Sequence, residues 1–458
     1  MSLEEAKPAM QYRVSPKTGE RISALGLGCM RFPGYQMGRP DQRAAEAIIS
    51  RAVERGITYL DTAYLYPGNE ACVGLALERL GMRDRVDVAT KLPHASCKVP
   101  GDLNRIFIEQ LRRLRTDRVD YYLIHNVTSP AQWERLRSLG VEDWIARRKE
   151  SGRIRNIGFS FHGSGPDFPV LLDAFDWDFC QIQYNYANER YQAGTAGLRA
   201  AAGRGIAVFV MEPLLGGRLA GKLPDAAKRV LNRAGTSPAP AVVPVPGSTG
   251  ERAGGEVDAP ASVSGPEGRD CGEGGAAPAS VSVGARPAAP LRLATPADWA
   301  LAWVWDHPEV TMLLSGMGSP EEVDANADLA ARALPGCLTE AQHSAIAQVV
   351  EVFDRANRVS CTGCNYCMPC PRDINIPGCF SAYNASYAHG WFTGIQQYFT
   401  AGAVLTGHPR LVSNCVRCGK CARHCPQGID IPARLDEVRR RFQPGPVNAV
   451  LKMLAHGR

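Results

Sequence analysis

Short apolar runs and amphipathic stretches alternate along most of the chain from about residue 12. The stretch 41–55 shows the amphipathic type, since Ala44, Ala47 and Ile48 recur at the spacing of one helix face. The apolar runs have the length of strands, and they fall at residues 22–30, 57–63, 86–92, 119–127, 154–161, 179–185, 206–211 and 310–315. Eight strands that are each followed by a helix predict an α/β fold of the (β/α)8 TIM-barrel type.

A doubly wound open sheet is the competing topology for this pattern. Such a sheet usually has a Gly-rich turn after its first strand, and residues 26–30 (GLGCM) do not have that spacing. Residues 10–22, with a turn at 17–19, predict a hairpin that closes the barrel floor. The pattern breaks at about 234–292, where Ala, Pro, Gly, Ser and Val dominate. That composition predicts a disordered insertion in the barrel.

Length and composition narrow the class of protein. A chain of 458 residues suits a barrel with a smaller second domain, which we place at 1–345 and 346–458. No apolar run approaches the ~20 residues that span a bilayer, and the N-terminal segment lacks the shape of a signal peptide. We therefore expect a cytoplasmic protein without a membrane partner. The net charge of +6 suits an anionic cofactor, an acidic partner or a solvated surface, and no motif indicates nucleic-acid binding.

Polar side chains follow three successive predicted strands at their C-terminal ends. Asp61 ends one run and Tyr66 follows five residues later, while Lys91 and His125 end the next two runs. In a closed parallel barrel these ends meet at one rim, so the four side chains can form one reaction centre. A phenol with a pKa of about 10 is a poor acid near neutrality, and we expect the Lys91 ammonium to lower the pKa of Tyr66. The set indicates proton transfer to or from a carbonyl or alcohol oxygen, although each residue alone has an ordinary structural explanation.

With these residues the sequence resembles the aldo/keto reductase superfamily over about 12–330, less the insertion. The resemblance rests on Asp61-Thr62-Ala63-x-x-Tyr66, Lys91, His125, the G-x-I-R-x-I-G-x-S motif of 152–160 and the QIQYN motif of 181–185. It implies a (β/α)8 barrel that transfers hydride between NADP or NAD and a small carbonyl/alcohol substrate. By the same resemblance, Tyr66 is the general acid, assisted by Lys91, Asp61 and His125.

The resemblance also implies a set of cofactor contacts. Ser160 and Gln183 match positions that bind the nicotinamide carboxamide, and Met211 replaces an aromatic ring that relatives often stack on the nicotinamide. Glu322 lies near the place where NADP-preferring relatives often carry an Arg, so the choice between NADP and NAD stays open. A strand-to-helix turn at 316–319 suits phosphate binding. The implied contacts are Met30, Ser160, Gln183, Met211, Leu214, Gly216, Gly316, Gly318, Ser319 and Asn326.

Nine of the fifteen cysteines lie between Cys361 and Cys425. In a reducing compartment such a block indicates metal ligation. One motif, C-x2-C-x2-C-x2-C-P, begins at Cys361, and a second, C-x2-C-x2-C-x3-C-P, begins at Cys415. A tight triplet followed by Cys-Pro is typical of iron–sulfur clusters, whereas the alternative, a zinc site, usually has two separated C-x2-C pairs. Similar residues after each motif, at 374–377 and 429–432, indicate two pseudo-symmetric halves.

Over about 357–435 the sequence resembles bacterial-type ferredoxin domains. This implies a mainly helical, ferredoxin-like dicluster module with two 4Fe-4S clusters, and the shorter first motif leaves a single cluster open. The implied ligand sets are Cys361, Cys364, Cys367 and Cys425, and Cys415, Cys418, Cys421 and Cys370. Three hypotheses remain: a carbonyl reductase with mainly structural clusters, an electron-transfer enzyme with a partner protein, and a redox-sensing protein on a reductase scaffold.

Overall fold

A closed barrel of eight parallel strands forms the centre of the protein in the computed structural model. The structure describes residues 9–35, 38–236, 291–402 and 410–445. The predicted insertion falls almost wholly outside the described residues. In chain order the strands are β1 (Tyr12–Val14), β2 (Arg21–Ser23), β3 (Leu25–Gly28), β4 (Tyr59–Asp61), β5 (Asp87–Leu92), β6 (Val119–Val127), β7 (Ile154–Phe161), β8 (Phe179–Gln183), β9 (Ala207–Met211) and β10 (Val310–Ser315).

Strands β3 to β10 follow one another around the barrel, and β10 pairs with β3 to close it. The predicted TIM barrel is therefore confirmed. Strands β1 and β2 form the predicted antiparallel hairpin. Within the described residues, no helix is long and apolar enough to cross a membrane.

Helices cover the outside of the barrel and build the C-terminal module. They are α1 (Gln42–Glu54), α2 (Asn69–Leu80), α3 (Pro100–Leu114), α4 (Pro130–Arg137), α5 (Val141–Glu150), α6 (Asp167–Leu172), α7 (Gly194–Ala202), α8 (Asp225–Thr236), α9 (Pro296–Trp305), α10 (Pro320–Ala330), α11 (Glu340–Ala356), α12 (Ile376–Ala388), α13 (Trp391–Ala401), α14 (Lys420–Arg423) and α15 (Ile431–Phe442). Helix α9 begins after Thr295, whose side chain accepts a hydrogen bond from the Asp298 backbone N–H.

Aromatic side chains fill the barrel interior below the rim. Tyr59, Tyr121, Phe179 and Phe209 are buried, and their neighbouring ring centroids lie 4.9–5.7 Å apart. Gly158 makes room for this layer, since a Cβ there would lie 2.4 Å from the Phe179 carbonyl oxygen. The interior is thus packed, and the space for a ligand lies at the rim above it.

The C-terminal module has a second hydrophobic core, which begins at Val359. Helix α11 packs instead with the barrel core through Phe353. The two cysteine motifs have matching backbones, because the residues on either side of the second cysteine have positive φ in both: Gly363 and Asn365, and Arg417 and Gly419. Each motif leads to a side-chain-capped helix, with Asn375 capping α12 and Asp430 capping α15. These shared features give the pseudo-symmetric halves that the sequence predicts.

Candidate functional site

The C-terminal ends of β4 and β5 bring an acid and a base together. Lys91 Nζ donates hydrogen bonds to Asp61 Oδ2 at 2.6 Å and to the Thr62 carbonyl oxygen at 2.8 Å. Lys91 is 1% exposed and Asp61 is 4% exposed, so water screens this pair little. The pair is a fixed positive charge held against its counter-ion at the barrel rim.

Tyr66 lies on the loop between β4 and α2 and is buried beside this pair. Lys91 Nζ is 5.1 Å from the centroid of the Tyr66 ring. The His125 ring, at the end of β6, packs edge-on against Tyr66 with centroids 5.9 Å apart. The structure therefore brings together all four residues that the sequence proposes for the reaction centre.

Burial dominates the electrostatics of the site. It raises the pKa of Tyr66 well above 10, and the neighbouring Tyr366 and Asp61 raise this pKa further. This is the opposite of the direction that we expected from Lys91, whose charge is already compensated by Asp61. Burial lowers the pKa of His125 well below 6.5, and the Lys91 charge adds to this effect. Near neutrality the phenol therefore keeps its proton, and the imidazole is uncharged.

A cavity of about 210 Å³ opens between these side chains. Asp61, Tyr66, Lys91 and His125 all line it. Six of the ten expected cofactor contacts line the same cavity: Met30, Ser160, Met211, Leu214, Gly216 and Gly316. The other four, Gln183, Gly318, Ser319 and Asn326, do not line it.

Gln183 is fully buried, and neither its Oε1 nor its Nε2 has a hydrogen-bond partner among the described residues. A buried amide without partners is costly, and a group that both donates and accepts hydrogen bonds would satisfy it. A nicotinamide carboxamide has both an N–H donor and a carbonyl acceptor. Because Gln183 does not line the cavity, a ligand would reach it only after a side chain of the cavity wall moves. Ser160 Oγ already accepts a hydrogen bond from the Asn126 backbone N–H at 2.8 Å.

The turn from β10 into α10 has the shape of an anion-binding site, but the Glu322 carboxylate lies at it. Ser319 caps the helix by accepting from the Glu322 backbone N–H at 3.4 Å. The Glu322 carboxylate accepts the Gly318 N–H at 2.7 Å and so places a negative charge at the helix N-terminus. Asn326 Nδ2 donates to Ser315 Oγ at 3.1 Å. An incoming phosphate at this turn would meet the Glu322 carboxylate.

The cysteine module is docked on the barrel rim. Arg31 donates to the Thr362 carbonyl oxygen at 3.2 Å, and Gln192 Nε2 donates to the Pro426 carbonyl oxygen at 3.0 Å. Gly216 allows the closest approach, since its φ is +65° and a Cβ there would lie 2.2 Å from the Thr362 oxygen. An expected cofactor contact thus also serves as a docking contact for the module.

The cavity also includes residues that the sequence did not assign to it, among them Cys364, Tyr366 and Glu212. The Tyr366 hydroxyl lies 3.3 Å from His125 Nε2. Burial raises the pKa of Glu212 to about 7. The position of Tyr366 between two cysteines was visible in the sequence, but no local pattern places that loop on the barrel.

The cysteines of the two motifs surround two cavities in the module. Cys361, Cys364, Cys367 and Cys425 line one of them. Cys370, Cys415, Cys418 and Cys421 line the other, together with Cys367. In the described part of the chain, no three His, Cys, Asp or Glu side chains converge on a position for a single metal ion.

Backbone N–H groups also point at the sulfur atoms. Cys361 receives the N–H of Gly363, and Cys425 receives the N–H of Ile429. Arg417 N lies 3.4 Å from Cys415 Sγ. Hydrogen bonds of this kind accompany cysteine ligands of iron–sulfur clusters. The cysteine sets and their N–H donors therefore fit iron–sulfur clusters.

The barrel, the polar residues at its rim and the cysteine module define a class, a (β/α)8-barrel oxidoreductase with an appended iron–sulfur-type domain. Comparison with known proteins gives the family. The Aldo/keto reductase family profile matches residues 24–252, half of the 458 residues, and the 4Fe-4S dicluster domain profile matches residues 360–429. The chain belongs to the aldo/keto reductase family.

Individual relatives agree with this assignment. Aldo-keto reductase YhdN of Bacillus subtilis is 32% identical over 160 residues, which is 33% of this chain and only 47% of that protein. The structure of aldo-keto reductase AKR11C1 from Bacillus halodurans (holo form) matches with a TM-score of 0.51 and 22% identity, covering 74% of this chain and 96% of its own. An aldo/keto reductase from Klebsiella pneumoniae, in complex with NADP and acetate, matches with a TM-score of 0.50 and 21% identity, covering 74% and 94%. These structural matches show the fold.

Proposed function

We propose that this protein uses NADP or NAD to interconvert a small carbonyl compound and its alcohol by hydride transfer. The observation that carries the proposal is the meeting of Asp61, Tyr66, Lys91 and His125 around one cavity. That cavity also holds several expected cofactor contacts. The similar Klebsiella pneumoniae protein was solved in complex with NADP and acetate, which supports a proposal of a dinucleotide and a small oxygen-bearing molecule as ligands of this fold.

The side chains of the cavity have distinct roles in this proposal. When bound, the nicotinamide supplies or accepts the hydride. Tyr66 gives its proton to the substrate oxygen during reduction and takes it back during oxidation. Neutral His125 hydrogen-bonds the same oxygen through Nε2. Lys91, held by Asp61, stabilises the negative charge that develops on the Tyr66 oxygen as its proton leaves.

The remaining residues would hold the cofactor. Gln183 and Ser160 suit the carboxamide, because Gln183 is buried without a partner among the described residues. Met30, Met211, Leu214 and Gly216 line the cavity and would surround the nicotinamide. The turn that contains Gly316, Gly318 and Ser319, with Asn326 behind it, suits the phosphate-bearing part of the dinucleotide.

We also propose that the module holds two 4Fe-4S clusters on the two cysteine sets described above. These sets are the ones implied by the resemblance to ferredoxins, including the exchange of Cys370 and Cys425 between the halves. When bound, the clusters supply one-electron redox chemistry. Cys379 lies in the hydrophobic core of the module and outside both sets.

Replacing the phenol tests the reductase proposal. Tyr66→Phe is expected to lower the turnover of a panel of small aldehydes and ketones by roughly 10²–10⁴-fold, because the proton donor is lost. Binding of NADPH and NADH, followed by nicotinamide fluorescence, is expected to stay nearly unchanged.

Tyr64→Phe is a matched control for this experiment. The Tyr64 ring lies 4.4 Å from the Arg113 guanidinium and does not line the cavity. We expect this variant to keep its turnover. Unaltered turnover in Tyr66→Phe would remove the proposed acid and, with it, the reductase proposal.

Electron transfer is the second candidate function, and one observation favours it. Cys364, a ligand of the first proposed cluster, lines the same cavity as Tyr66. If the clusters exchange electrons with a ligand there, dithionite-reduced protein mixed with the carbonyl panel or with NADP⁺ will lose the visible spectrum of its reduced clusters within the turnover time. If the clusters are structural, that spectrum will persist while NADPH-dependent reduction proceeds.

A further inference from the structure

Tyr366 belongs to the cysteine module but reaches into the barrel. It lies on the loop between Cys364 and Cys367, and its hydroxyl is 3.3 Å from His125 Nε2. The two rings lie 6.3 Å apart at an interplanar angle of 73°. The Tyr366 side chain also lines the same cavity as Tyr66 and lies close enough to raise the pKa of that phenol. One phenol from the module therefore contacts His125 and lies beside Tyr66, the two groups that the proposed reaction needs at the substrate oxygen.

Hydrogen bonding is short-ranged, with donor–acceptor distances of about 2.5–3.5 Å. A substrate oxygen that contacts both Tyr66 and His125 has to lie between them, in the direction from which Tyr366 approaches. Two oxygen atoms cannot share that position. The Tyr366 hydroxyl and a substrate oxygen therefore cannot occupy the position between Tyr66 and His125 at the same time.

The backbone that carries Tyr366 is fixed on the rim. The Thr362 carbonyl oxygen accepts a hydrogen bond from Arg31 and fits against Gly216. Further contacts hold the other side of the module, including Gln192 to the Pro426 carbonyl oxygen. Displacing Tyr366 therefore requires rotation of its side chain and leaves these docking contacts in place.

We propose that, before substrate binds, the Tyr366 hydroxyl occupies the position of the substrate oxygen, and that a carbonyl compound binds only by displacing this phenol. This inference rests on the proposed function, because it takes Tyr66 and His125 as the contacts of the substrate oxygen. It makes the iron–sulfur module a determinant of which molecules enter the barrel. Compounds that make strong hydrogen bonds to Tyr66 and His125 compete best with the internal hydroxyl.

Acetate is a suitable probe, because its carboxylate oxygens accept hydrogen bonds from the same two groups. The experiment measures binding of labelled acetate by equilibrium dialysis, under anaerobic conditions, to cluster-loaded protein saturated with NADP⁺. In Tyr366→Phe the competing hydroxyl is gone, and we expect acetate to bind about tenfold more tightly, the equivalent of about 1.4 kcal/mol. We also expect KM for the carbonyl substrate to fall by a similar factor, with kcat changed less than about threefold.

Two further variants test whether a change in acetate affinity comes from the missing hydroxyl or from altered folding. Tyr366→Leu also lacks the hydroxyl and should show the same tighter binding. Tyr35→Phe removes another phenol near Tyr66, one without a hydrogen bond to His125, and should change acetate affinity less than about twofold. Iron and sulfide contents equal to those of the wild-type protein show that the module is intact.

Acetate affinity that is unchanged or weaker in both Tyr366→Phe and Tyr366→Leu overturns the inference. A fall in kcat with unchanged affinity also overturns it, since Tyr366 would then assist the reaction. These outcomes are distinct from failure of the proposed function, which Tyr66→Phe reports. If Tyr66→Phe abolishes turnover while Tyr366→Phe leaves acetate binding unchanged, only the displacement of Tyr366 is wrong.

Discussion

The buried Lys91–Asp61 pair permits a prediction with a defined magnitude. In Lys91→Met the methionine replaces the length of the lysine side chain, but Asp61 loses its counter-ion. Asp61 is 4% exposed, and its Oδ1 has no other partner among the described residues. Breaking one side of a buried ion pair typically costs about 3–5 kcal/mol. Asp61 can limit that cost by taking up a proton.

Proton uptake by Asp61 determines how much stability Lys91→Met loses and how that loss depends on pH. Burial already raises the pKa of Asp61, and Lys91 opposes this rise, so removing Lys91 raises the pKa further. A carboxyl that is neutral in the folded state and has a pKa of about 3.9 when unfolded lowers the free energy of unfolding by about 4 kcal/mol at pH 7. The loss shrinks by about 1.4 kcal/mol for each pH unit of acidification. The penalty is small below about pH 4 and grows as the pH rises.

Thermal unfolding of the two proteins at pH 5.5, 6.25 and 7 measures this dependence. For a barrel of this size, 1 kcal/mol corresponds to about 1.5 °C, so Lys91→Met should unfold about 6 °C below the wild type at pH 7. The difference should shrink by about 2 °C per pH unit toward pH 5.5. The double variant Asp61→Asn/Lys91→Met has no charge to neutralise, and we expect it to recover most of the loss. A deficit that does not vary with pH, or a double variant as unstable as the single one, would refute this reasoning.

Two further predictions concern the cofactor and the clusters. Glu322→Arg replaces the carboxylate that accepts the Gly318 N–H, and so reverses the sign of the charge near the proposed phosphate site. In steady-state kinetics, the ratio of kcat/KM for NADPH to kcat/KM for NADH should rise by roughly tenfold or more. Glu322→Gln measures the contribution of charge loss alone, and an unchanged ratio would contradict a role for this turn in cofactor binding. Cys370→Ala should lower the iron content by up to about four atoms per chain and alter the cluster ligated by the second motif, as followed by iron analysis and electron paramagnetic resonance. Cys379→Ala is the matched control, because Cys379 is buried outside both ligand sets, and equal iron loss in both variants would speak against ligation by Cys370.

The sequence predicted the barrel well, because its strands are short apolar runs between amphipathic helices. Three predicted strands, 119–127, 154–161 and 310–315, match β6, β7 and β10 from end to end. The convergence of Asp61, Tyr66, Lys91 and His125 also followed from local information, since the closure of a parallel barrel brings strand ends together.

Other features depended on contacts that no local pattern contains. Tyr366 meets His125 across 241 residues of sequence, so its role in the cavity required the docked structure. The direction of the Tyr66 pKa shift was wrong for a related reason. We counted the Lys91 charge and not the loss of water around the phenol, which burial from several elements produces.

The docking of Tyr366 on the barrel rim has a consequence for how the protein is made. The walls of the reaction cavity come from both ends of a long polypeptide, so ribosomal synthesis yields a barrel with an open mouth before the cysteine loop exists. If the proposed clusters order that loop, completion of the cavity also requires their insertion. Chains made when iron is short would then have intact barrels whose cavities lack the Tyr366 phenol, the group proposed to compete with the substrate oxygen.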